Sequence, residues 1–169
     1  MNNNTKKLEV QELRKLYRRV EQRILILMGL SLPIFGLIYL YYNSGNLHWQ
    51  LPQLPIFIEI MLGILALLLL VIQYTFFQRK LKLTFQKEDL MDKLRIYAEA
   101  ALQRFYILFS LSLLCSLGLL LFANPLFVLL FAINLVFFSL AKPTPDRLSR
   151  WMKLSKVNGD LIRAASRPE

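Results

Sequence analysis

Four long apolar stretches of this 169-residue chain hold a single carboxylate, Glu59, and no Lys, Arg or His. A carboxylate among apolar residues long enough to cross a membrane is by default a proton carrier or an ion ligand. Glu59 stands four residues after Pro55, about seven residues or roughly 10 Å from the middle of its stretch at the helical rise. That is shallow enough to reach interfacial water, and no basic residue in the stretches could complete a relay. The simpler expectation is a snorkelling or hydrogen-bonded structural carboxylate.

Asn134 lies near the middle of the fourth stretch. A buried amide there needs a partner, most often across a helix interface, and Gln73, Thr75 and Ser139 are the polar residues expected to cluster with it. Pro33, between Gly29 and Gly36, has no N–H to donate to the carbonyl at position 29, so a helix kink is expected. Such a kink could gate, but a fixed packing device is the simpler role. Ser112 and Ser116 form a small-xxx-small pair suited to close helix approach, and the sole cysteine, Cys115, reads as a small packing residue. One histidine, His48, stands alone.

No catalytic, metal, nucleotide or cofactor motif emerges. The acids Glu88, Asp89, Asp92 and Glu99 are interspersed with Lys and Arg at helical spacing and read as a solvated surface. An enzyme is not expected.

The stretches themselves are Ile24–Tyr42, Pro55–Phe77, Phe105–Phe122 and Pro125–Ala141, of 19, 23, 18 and 17 residues. A helix needs about 20 apolar residues to cross roughly 30 Å of hydrocarbon. Unpaired backbone groups are too costly in lipid, so each stretch should be helical, and none alternates as a membrane strand would. The fourth reaches the required length by starting near Asn124 and ending at Lys142. The first ends in Tyr-Leu-Tyr-Tyr rather than small residues, so it reads as an uncleaved anchor.

Charge gives the orientation. Residues 1–23, 78–104 and 142–169 each carry seven Lys or Arg, and the connectors 43–54 and 123–124 carry none. Short basic loops stay on the cytoplasmic side, so both termini and the middle segment are expected inside, in an inner (plasma) membrane of bacterial type. The net charge of +10 is thereby accounted for mainly by topology. The basic segments would also lie against anionic lipid headgroups, a partner worth about 1 kcal/mol per side chain.

Two halves are similar. QRILILMGLSL (22–32) and QRFYILFSLSL (103–113) match at seven of eleven positions with an offset of 81, which suggests a parallel internal repeat of two helical hairpins. In front of each half lies an apolar stripe at helical spacing: Val10, Leu13, Leu16, Tyr17 and Val20 in one, Leu90, Leu94, Tyr97, Ala101 and Phe105 in the other. No Gly or Pro separates stripe from apolar stretch, so both stripes are expected to extend the spans as cytoplasmic helices. Asn43-Ser44-Gly45-Asn46 signals a turn, and Tyr39, Tyr41, Tyr42 and Trp49 an outer aromatic belt. After the fourth stretch, Thr144 and Pro145 could start a helical tail. About 24 residues beyond those prolines cannot supply the third helix and core of a DNA-reading unit, which argues against nucleic acid as a partner.

The expectation is an all-α, four-span membrane bundle forming one domain. It would act as a scaffold, assembly factor or regulator through another membrane protein or through self-association. The alternative is an oligomeric transporter or channel, which would need polar lining from Glu59, Asn134 and a few Ser, Thr and Gln.

Overall fold

A computed structural model describes residues 3–45, 54–84 and 90–142. They form four helices and, among the described residues, no strand: α1 (Asn3–Asn43), α2 (Ile56–Thr84), α3 (Leu90–Phe122) and α4 (Leu126–Ala141). Three, over Arg14–Asn43, Ile56–Leu83 and Met91–Phe122, are long and apolar enough to cross a membrane; α4, with 16 residues, is shorter. At 1.5 Å per residue α4 is about 24 Å long and the 41-residue α1 about 60 Å. The expectations for His48, Trp49, Glu88, Asp89 and the tail 143–169 lie outside the described residues.

α1 and α3 are each unbroken where stripe meets apolar stretch, as the missing Gly and Pro foretold. α1 also continues through Pro33. α2 extends past its apolar stretch to Thr84, so the described residues of 78–104 belong to the end of α2 and the start of α3. The chain divides into two compact units.

The first unit comprises the described parts of Met1–Leu25, Thr75–Gln103 and Lys142–Glu169. Its core is the two stripes: Tyr17, Val20 and Ile24 from α1, with Leu94, Tyr97, Ala98 and Ala101 from α3, joined by Phe77 and Leu81 of α2. Phe77 and Tyr97 meet edge to face with centroids 6.1 Å apart, a favoured aromatic geometry.

The second unit comprises Ile26–Tyr74 and Arg104–Ala141. α4 buries one stripe (Phe127, Leu130, Phe131, Asn134, Phe138 and Ala141) at helical spacing. Phe131 stacks on Phe35 of α1 with centroids 3.7 Å apart, and Phe138 packs at 5.6 Å on Phe105 of α3. α2 buries the narrow seam Gly63, Ala66, Leu70 and Gln73. Ile60, Ile64, Leu67, Leu68 and Val71 are exposed around it. Apolar exposure on this scale suits hydrocarbon or a partner helix.

The α3–α4 turn follows from local chemistry. Ala123 takes a left-handed φ of 49° and its N–H donates to the Leu119 carbonyl at 3.0 Å, closing α3 as a C′ residue does. Asn124 then caps α4 with Pro125 in the first helical position, which needs no N–H donor. Between α3 and α4, a Cβ on Gly118 would overlap the buried Phe127 ring.

Candidate functional site

Three polar pairs lie in the second unit. The first joins α2 to the start of α4. Asn124 Nδ2 donates to Glu59 Oε1, and the Leu126 N–H donates to Asn124 Oδ1 at 2.8 Å. Asn124 thus caps α4 and holds Glu59 at once. Glu59 is itself in the first turn of α2, where the positive end of the helix dipole favours a negative side chain. A lone carboxylate in an apolar helix is tolerated here because an amide and a helix N-terminus meet it. Glu59 is half-buried.

The second pair fixes α4 to α3. Asn134 is fully buried, and its Nδ2 donates to the Leu108 carbonyl at 3.0 Å and to Ser112 Oγ at 2.8 Å. Ser112 in turn donates to the Leu108 carbonyl at 3.2 Å, and Ser116 to the Ser112 carbonyl at 2.8 Å. The small-xxx-small pair therefore does more than make room: its first hydroxyl receives the amide. Asn134 Oδ1 has no hydrogen-bond partner among the described residues. Cys115 is buried beside this pair in sequence.

The third pair was not foreseen. Arg104 Nε donates to Gln73 Oε1 at 2.7 Å, and both residues are buried. Arg104 belongs in charge counts to the basic segment, but its position in the seam Leu94, Tyr97, Ala101, Arg104, Leu108, Leu111 and Cys115 puts it on the core side of α3. That three-four spacing was available in the sequence. Leaving a guanidinium buried without acceptors would be costly, and Gln73 supplies one.

Gln73 thus serves Arg104 and not Asn134, and the expected cluster around Asn134 does not form: Thr75 and Ser139 are exposed. Ser112, from α3, takes their place. Pro33 is exposed, as is Gly29; no atom comes within 4 Å of a Cβ built at Gly29 or Gly36. Among the described residues this face of α1 is therefore open at Gly29 and Pro33, and half-buried Gly36 has room for a side chain. Tyr39 and Tyr41 are exposed and Tyr42 partly so.

Between α2 and α4 an open groove of about 520 Å³ has Ile60, Ile64, Leu67, Leu129 and Ile133 along it and Glu59 with Asn124 in its lining. Gly63 lies in its lining as well, and its missing side chain leaves Leu126 Cδ2 3.8 Å from where a Cβ would be. Among the described residues no group of three or more His, Cys, Asp or Glu could hold a metal ion. Comparison with protein-family models, with curated proteins and with solved structures found no match to this chain.

Proposed function

We propose that the protein is a non-enzymatic module of a bacterial-type inner membrane that binds another membrane protein through the α2–α4 groove. In this reading α4 also crosses the bilayer, giving four spans in two hairpins, with both termini and residues 78–104 on the cytoplasmic side. The even distribution of 21 basic residues over those three segments supports the orientation. The matching motifs support a parallel repeat: Ile24 and Phe105, and Ser31 and Ser112, are equivalent and all buried.

The observation that carries the proposal is the contrast between filled and open surfaces. Asn134, Ser112, Gln73 and Asn124 all bond within the second unit, while the apolar groove beside Glu59 stays open. Association in lipid relies on close packing and on polar bonds between helices. A partner helix with apolar knobs for the groove and a basic or amide donor opposite Glu59 fits both. This chain's own apolar stretches hold no Lys or Arg, so a second copy offers Glu59 no cation from within the membrane, which favours a foreign partner.

The test is extraction of the native protein in mild detergent, followed by sizing and identification of associated chains, for the parent and for Ile64→Trp, which fills the groove. A foreign membrane protein at fixed stoichiometry, lost in Ile64→Trp, is expected. A monomer without partner in native-lipid discs overturns the proposal. A self-oligomer in its place supports the transport alternative if liposome flux is present and falls with Glu59→Gln.

A further inference from the structure

Within the first unit, α1 and α3 present matching faces to a second hollow, of about 220 Å³. α1 contributes Leu16, Arg19, Val20 and Arg23; α3 contributes Arg95, Ala98, Glu99 and Leu102. The spacing is the same on each helix: i, i+3, i+4 and i+7, one continuous face. In each set the apolar members can form a floor, and the charged members are exposed. Three guanidiniums stand against one carboxylate. An adjoining hollow shares Leu16, Arg19 and Arg95 and adds Met91 with one charge of each sign, Lys15 and Glu12, so the net positive excess stays that of the three guanidiniums.

Guanidinium groups match phosphate oxygens in geometry and charge, and several converging on one hollow form a phosphate site. The position along each helix identifies which phosphate. Arg23 directly precedes the apolar stretch that begins at Ile24, and Leu102 is three residues before the one that begins at Phe105. A hollow with an apolar floor at the point where two helices enter hydrocarbon is where a phospholipid carries its headgroup. Basic pockets between membrane helices on the cytoplasmic side bind anionic headgroups in this way.

We propose that Arg19, Arg23 and Arg95 form a site for the phosphate of an anionic phospholipid, with Leu16, Val20, Ala98 and Leu102 against its glycerol and upper acyl chain. Glu99 tempers the site and excludes a second negative charge near Arg95. The inference rests on the membrane placement alone. Its failure would leave the α2–α4 groove untouched, because that groove is tested by protein association and this one by lipid retention.

The experiment is native mass spectrometry of the full chain released from discs that contain phosphatidylglycerol and phosphatidylcholine in equal amounts. Preferential retention of phosphatidylglycerol is expected. Arg23→Gln with Arg95→Gln should lower that retention about 30-fold, at about 1 kcal/mol for each basic side chain. The control pair Arg79→Gln with Lys80→Gln, outside the hollow, should leave it unchanged. Glu99→Gln should raise it, a gain that misfolding could not produce. Equal retention of the two lipids, equal loss in both pairs, or weaker retention in Glu99→Gln overturns the site. Displacement of the lipid by millimolar inorganic phosphate overturns the lipid assignment.

Discussion

Asn134 shows what a single amide can do in an apolar helix. Its NH2 group reaches both the Leu108 carbonyl and Ser112 Oγ, so one side chain orients α4 about its own axis relative to α3. Interhelical hydrogen bonds of this kind contribute about 0.6 to 2 kcal/mol. A double-mutant cycle with Asn134→Leu and Ser112→Ala, read by unfolding in micelles, should return a coupling in that range; strict additivity would mean that the two side chains do not interact. The need for a partner was legible at Asn134 from the sequence, and the partner was not. Gln73, Thr75, Ser139 and Ser112 were equivalent until the rotation of each helix was known. Arg104 is the reverse case: its place in a seven-residue seam was readable, and counting it only as charge hid its burial.

At the scale of elements, helix content and extent followed from two periodicities. Long apolar stretches marked the C-terminal halves of α1 and α3 and most of α2, and the stripes of Tyr17 and Val20 and of Leu94, Tyr97 and Ala101 marked the faces buried in front of them. Close approach was less visible. Gly118 is one small residue in a Leu-rich stretch, and nothing local distinguishes it, yet a methyl group there would enter the Phe127 ring. Elsewhere in a helix Gly→Ala stabilises by about 0.5 to 1 kcal/mol. At Gly118 the sign should reverse, with Gly118→Ala destabilising by about 1 to 3 kcal/mol from overpacking. Chemical unfolding of Gly118→Ala alone and combined with Phe127→Leu decides the matter: the second change should recover most of the loss. The α2–α4 groove was equally hidden, since it depends on a gap between two helices and not on any run of residues.

For the whole molecule, the four-span reading yields a pattern of accessibility. In a Cys115→Ala background, cysteines at Ser44 and Ala123 should react with an impermeant maleimide in intact cells, and cysteines at Arg79 and Lys142 only after lysis. Labelling of the Lys142 position from outside would mean that α4 returns without crossing; the inverse of the whole pattern would refute the orientation drawn from charge. α1 has a different consequence. Pro33 offers no N–H to Gly29; Gly29 and Pro33 are exposed, and a Cβ at Gly29 or Gly36 would meet no atom within 4 Å. The longest helix therefore lacks one rung on a face that is open among the described residues, while Phe35 beside it is held by Phe131. Slow amide exchange should not extend evenly along its 41 residues: the lengths before and after Pro33 open as separate cooperative segments, so a continuous rod to the eye behaves in time as two shorter ones.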